Sequence, residues 1–149
     1  MQNIRFEWDE ETGTCGCTLK YKDKCFIGFA LCHPDDIDMK SKLMGQVIAE
    51  GRATVRCLQH IRDNELKPQL HALKQLYYSM NKSKHFNPKS YENIMLYRQI
   101  RFLANDLVAI KEELARIKQN TKEYISQKEN DHKLIRKYLK KKSALVEKD

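Results

Sequence analysis

Arg52 and Arg56 stand one helical turn apart. Further along, Tyr77, Tyr78, Phe86, Asn87, Tyr91, Arg98 and Arg101 interleave aromatic rings with guanidinium groups. Guanidinium forks bind phosphate oxygens bidentately and aromatic faces stack on nucleobases, so Arg52, Arg56, Tyr77, Phe86, Asn87, Arg98 and Arg101 form a candidate nucleotide-binding set. The same rings also serve as ordinary packing residues, and both readings stay open. Their place near the junction of two helical regions, where a dimer would form a cleft, favours binding. Residues 133–142 form the densest basic segment, six cations with no acid. This segment reads either as a phosphate-binding stretch or as a solvated helix end that suits its own dipole.

Other chemistries fail on spacing. Cys15-X-Cys17 with Cys25, Cys32 and His33 invites a zinc site, but no Cys-X-X-Cys pair occurs and the sulfurs alternate with core-type residues, as buried structural cysteines do. Asp35, Asp36 and Asp38 lack the glycine and distal glutamate of a calcium loop and read as helix-capping acids. His60, His71, His85 and His132 are scattered, and no nucleophile elbow, phosphate-binding glycine loop or metalloprotease signature is present. A non-enzymatic protein without metal or cofactor is expected. Five cysteines cannot all pair within one chain, which points to a reducing compartment.

The elements that position these residues follow from periodicity. Ile4 to Trp8 alternates apolar and polar, turn-forming residues follow up to Gly13, and two runs, 15–21 and 25–32, meet across Lys22, Asp23 and Lys24. Cys15, Cys17, Leu19 and Tyr21 share one face, Phe26, Gly28, Ala30 and Cys32 share a face of the next strand, and Phe6 and Trp8 belong to the same apolar side. Pro34 ends the strand, and an aspartate caps a helix starting near Met39. Its stripe of Met44, Ile48, Gly51, Val55 and Leu58 packs on the sheet. Pro68 ends or kinks this helix at Lys67, a shorter one carries Leu70, Leu73, Leu76 and Tyr77, and Pro88 opens the last element.

All five glycines precede residue 52, and no Gly or Pro follows Pro88. Leu96, Ile100, Leu103, Leu107, Ile110, Leu114 and Ile117 are spaced alternately by four and three, a heptad seam. Fifty residues of helix span about 75 Å, more than a domain of this size covers alone, so a homodimer through this seam, parallel or antiparallel, is expected. Folding of the helix back on its own chain is the alternative. The resulting fold class is α+β: a small N-terminal antiparallel sheet packed on a helix, then a long C-terminal helix forming a coiled-coil-like dimer core. It is read as one domain over 1–149, with a sheet region at 1–38, a helical region at 39–80 and the long helix at 88–145.

Composition agrees. The 149 residues carry a net charge of +8, and because Lys and Arg balance Asp and Glu across residues 1–80, the whole excess lies in 81–149. No apolar run approaches the roughly 20 residues of a membrane span, and the first residues lack the basic-then-apolar order of a signal peptide. A cytoplasmic protein with no membrane partner is expected.

Gly28, Ala30, Cys32, Pro34 and Asp36, followed by Gly45, Ile48, Ala49, Arg52 and Ala53, carry a resemblance. The pattern G-x-A-x-C-x-P-x-D followed by G-x-x-I-A-x-x-R-A, with a long helix behind it, resembles the phage anti-defence sponges that inhibit Thoeris immunity by sequestering a cyclic ADP-ribose variant. The matched stretch covers residues 26–53; the helical remainder is similar in character only. The resemblance implies a small sheet and helices on a helical dimer core, dimers able to assemble further, and a nucleotide held between subunits by arginines, an aromatic and an asparagine. It implies Arg52 as a ligand contact from the matched pattern and, more loosely, Tyr77 or Phe86 for stacking, Asn87 for a polar contact and Arg98 or Arg101 for phosphate. It places the protein in the cytoplasm of an infected bacterial cell, with cyclic oligonucleotides as additional ligands. Charge and periodicity by themselves favour a different function, a basic coiled-coil module that binds nucleic acid or a host protein.

Overall fold

The computed structural model describes residues 3–32, 40–83 and 85–147. The chain divides into two compact units, Met1–Arg56 with Ile117–Asp149, and Cys57–Arg116. The described elements are β1 (Asn3–Asp9), β2 (Thr14–Tyr21), β3 (Lys24–Ala30), α1 (Lys42–His60), a π-helical segment (Ile61–Leu66), α2 (Lys67–Asn81) and α3 (Tyr91–Glu147). This is the α+β architecture expected, a three-stranded antiparallel sheet followed by helices, the last of them long.

In the first unit the strands form a meander in the order β1-β2-β3. Cys15 lies between Trp8 and Ala30, Cys17 between Phe6 and Gly28, and Leu19 between Ile4 and Phe26, so the period of two sends all of these to one face. Cys15, Cys17 and Leu19 are the most completely buried large side chains of the described residues. The β2–β3 loop is Lys22-Asp23, one residue shorter than the spacing predicts, and Lys22 takes a left-handed conformation with φ +54°. The β1–β2 connection closes on Gly13, whose amide donates to the Asp9 carbonyl at 2.8 Å and whose φ is +68°.

Helix α1 lies on the buried face of the sheet at a separation only glycine allows. A Cβ on Gly28 would collide with the Ala49 carbonyl oxygen and the Ala53 amide nitrogen, and one on Gly45 would sit 2.8 Å from Cys15 Cβ. Ala49 and Ala53 are fully buried, and Ile48 nearly so. On another face of α1, a Cβ on Gly51 would approach Thr121 Oγ1 of α3 to 2.9 Å. The sheet contact thus runs through Gly45, Ala49 and Ala53, beside the expected stripe, whose Gly51 meets α3 instead; these small residues bring backbones together, at roughly 1 kcal/mol of propensity per helical glycine.

Three boundaries differ from expectation. The predicted aspartate cap falls at residues 35–38, outside the described residues; Ser41 caps α1, its Oγ accepting from the Met44 amide at 3.2 Å. Pro68 does not end the helical run. It occupies the first turn of α2 directly after the π-helical segment. A proline ring clashes with the carbonyl four residues back and offers no N–H, and the wider turn of Ile61–Leu66 absorbs both defects. Within that segment Asp63 accepts from Arg62 Nε and Nη2 at 2.8 and 3.0 Å. This pairing, with Lys67 at 3.3 Å, holds its carboxyl down to about 2. Third, α3 starts at Tyr91, not at Pro88. Pro88 occupies the second position of a turn in which the Asn87 carbonyl accepts from the Ser90 amide at 3.1 Å, and Ser90 then caps the helix.

In the second unit Cys57, Leu70, Leu103 and Leu114 are buried. The other seam residues of α3 are half-buried. Leu103 and Leu114 of the heptad stripe therefore find cover within their own chain, while its other members keep part of their surface open. Residues 42–81 are helical without a break, where the sequence leads one to expect an end or a kink at Lys67. Asn93, beside the turn, is buried. Its Nδ2 donates to the Asn87 carbonyl while Oδ1 has no hydrogen-bond partner.

Because Gly28 sets the separation of sheet and helix, Gly28→Val is expected to lower unfolding free energy by about 3 kcal/mol through overpacking against backbone that cannot move aside. Urea denaturation measures this; an unchanged midpoint would contradict the close approach.

Candidate ligand site

The close fit of α1 on the sheet opens into a cavity beside the helix start. The cavity has a volume of about 150 Å³. Ala30, Met44, Ile48 and Ile125 make its apolar wall, while Lys40, Ser41, Arg52, Glu129 and His132 bring polar groups, with Cys32 at the margin. Ile125, Glu129 and His132 recur at i, i+4 and i+7, so a single face of α3 closes this side. Gly13 also lines it. A Cβ there would stand 2.8 Å from Cys32 Cβ and 3.2 Å from Lys40 Cβ, so any larger residue would fill space that the lining uses.

Arg52 is held in place by the strand beside it. Its Nη1 donates to the Phe29 carbonyl at 2.7 Å, a bond that takes one of the five guanidinium donors. Lys40 Nζ lies 3.6 Å from Glu10 Oε1. Trp8 Nε1 donates to the same carboxylate at 2.6 Å, and this bond, with the Lys40 charge, holds Glu10 below its ordinary range. Two cations, an imidazole, a serine at a helix cap and one carboxylate thus meet around a small space. Such a set suits a compact anion carrying a hydroxyl, with Arg52 as its fixed fork.

Of the seven residues chosen from sequence, Arg52 lines this cavity and the other six do not. Arg56 is exposed one turn further along α1, and Arg98 and Arg101 are exposed on α3. Tyr77 and Phe86 do come together, in the second unit, edge to face with centroids 5.9 Å apart. Tyr77 also meets Tyr97 at 6.0 Å and Tyr78 at 6.3 Å, so its ring is part of an aromatic cluster. Asn87 has a local role: its Oδ1 accepts from the Lys89 amide at 3.0 Å and its carbonyl organises the turn before α3.

Sequence reasoning passed over Lys40, Ser41, Glu129 and His132. The signal for the last two was their shared face with Ile125, obscured because this part of α3 lies beyond the clear heptad seam. His33 and Asp35 to Asp38 lie outside the described residues. Among the described residues no group of three or more His, Cys, Asp or Glu side chains converges to hold a metal.

Comparison with protein-family models, with curated proteins and with solved structures finds no match.

Cys15, Cys17 and Cys57 are buried, and burial pushes each thiol above its ordinary range, whereas Cys25 is exposed. A thiol-directed alkylating reagent near neutral pH is therefore expected to modify Cys25 first in the native protein and all five only after denaturation. Peptide mass mapping reads the order; early labelling of Cys15 or Cys17 would contradict their place in the sheet core.

Proposed function

We propose that the chain is a non-enzymatic sponge that captures a cyclic ADP-ribose-type signalling nucleotide and so blocks a bacterial immune signal on behalf of a phage. The observation that carries the reading is convergence. Ala30, Cys32, Gly45, Ile48 and Arg52, drawn from both halves of the pattern that resembles the Thoeris sponges, all line one cavity. Gly28, Ala49 and Ala53 of the same pattern make the sheet–helix contact that shapes it. Arginine stays charged at every cellular pH and binds phosphate bidentately, which suits a ligand with two phosphates.

Size adds a condition. A cavity of about 150 Å³ is below the roughly 300–1,000 Å³ of whole-ligand pockets, so it takes a phosphate with part of its ribose. A second copy of the chain would supply the remaining walls, in keeping with the homo-oligomer that the resemblance implies. Sequestration is stoichiometric and requires no turnover. The alternative of a nucleic-acid or host-protein module rests on the basic end of α3.

Calorimetry with a purified cyclic ADP-ribose-type nucleotide tests the reading. Arg52→Ala is expected to lose about 1.5–3 kcal/mol of affinity, the value of a charged hydrogen-bond set. Arg56→Ala, one turn away and off the cavity, should stay within about 0.5 kcal/mol of wild type. Truncation after Lys133, which keeps His132, should change affinity by no more than a few-fold. Mass spectrometry of ligand released by heating should return it intact, which separates capture from turnover by the thiol, imidazole and carboxylate nearby. Absence of binding heat, or equal affinities for wild type and Arg52→Ala, would overturn the assignment.

A further inference from the structure

Beyond His132 the end of α3 does not line the cavity, and its seam positions Ile135 and Tyr138 are exposed. Residues 133–142 hold six cations and no acid. The structure adds that the apolar residues interleaved with them are turned to solvent. Leu134, Ile135, Tyr138, Leu139 and Leu145 are between 48% and 67% exposed, whereas Leu103 and Leu114 of the same helix are buried. At 3.6 residues per turn these five fall within about 140° of the helix circumference, and Lys133, Arg136, Lys137, Lys140 and Lys141 occupy the opposite arc. An exposed, contiguous apolar stripe flanked by one sign of charge is an unusual surface to leave in water.

We propose that this segment docks in the plane of an anionic lipid surface, its apolar arc in the headgroup–acyl boundary and its lysines against lipid phosphates and carboxylates. Charge complementarity and face geometry together select that partner. A second copy of the helix would bring like charges together, and although the heptad register continued from Leu114 and Ile117 reaches Ile135, Tyr138 and Leu145, it places Lys128, Asp131 and Lys142 where a coiled coil needs apolar residues and leaves Leu134 and Leu139 off the seam. A protein groove reads anchors at i, i+3, i+4 and i+7; counted from Ile135, the fourth is Lys142. Nucleic acid satisfies the cations but leaves Leu134, Ile135 and Leu139 in water. A lipid interface accepts all of these features. Its anions are laterally mobile, its depth takes a broad apolar arc, and Lys142 reaches the headgroups along its own stem. No helix of the described residues is long and apolar enough to cross a membrane. The sequence by itself led to an expectation of no membrane partner; the exposure of the apolar arc, which only the structure gives, is what changes it.

Co-sedimentation of the full chain with vesicles tests the proposal. Phosphatidylcholine vesicles containing phosphatidylserine should bind at least about tenfold more tightly than phosphatidylcholine alone, since each cation near such a surface contributes on the order of a five-fold gain. Combined Lys137→Gln, Lys140→Gln and Lys141→Gln should lose at least about tenfold. Combined Leu134→Gln and Leu139→Gln should lose a similar factor with unchanged circular dichroism, because both side chains are exposed. Wild type should be released by salt of about 1 M, where the screening length falls to about 3 Å. No binding to phosphatidylserine vesicles would overturn the proposal, as would full binding by the leucine variant or retention at high salt. Preferential binding of duplex DNA that vesicles fail to displace would assign the segment to nucleic acid instead.

Discussion

The approach of α1 to the sheet is the constraint on which the first unit depends. Gly28 and Gly45 remove the two side-chain positions that would hold helix and strands apart, and Ala49 and Ala53 keep the facing helix surface flat. With the backbones this close, Arg52 reaches the Phe29 carbonyl and is fixed at the cavity wall. Gly51 makes the same concession toward α3, which lets Ile125, Glu129 and His132 close the cavity from another element. Small residues therefore do two jobs with one geometry: they create a dry contact between layers and they leave a recess at its edge.

The stretch 26–53 thus combines residues that line the cavity with residues that set the distance between helix and sheet. Gly28, Gly45, Ala49 and Ala53 act on backbone separation, and Arg52 brings charge to the cavity wall. Changing Gly28 or Gly45 would move the wall that Arg52 stands on. The second unit is organised differently. Its buried leucines and its cluster of Tyr77, Tyr78, Phe86 and Tyr97 are side-chain packing.

Strands and the long helix were legible in the sequence because each has one strict period. Cysteines 15 and 17 with Leu19 alternate cleanly, and the seam from Leu96 to Ile117 keeps its four-three spacing. The unbroken helical run over residues 42–81 was not legible. Pro68 signals a break in any local reading, and only the π-helical segment before it allows residues 42–81 to stay helical. Site residues divide the same way. Arg52 stood out through its neighbours in sequence, whereas His132 and Glu129 lie some eighty residues from it, on a part of α3 whose apolar spacing is weak, and their proximity is a product of tertiary packing. Arginines and tyrosines gathered by composition near residues 77–101 looked equally suited to phosphate and base, and composition carries no information about which of them share a cavity.

The central claim is that the phosphate-bearing part of a nucleotide enters the recess beside Arg52. Nitrogen-15 NMR during titration with a cyclic ADP-ribose-type nucleotide addresses it directly. The account predicts that the largest shifts fall on the Arg52 Nε–H, the amides of Gly13, Met44 and Gly45, and the His132 ring. Shifts confined to residues 77–101, or a spectrum that does not change at saturating nucleotide, would contradict it.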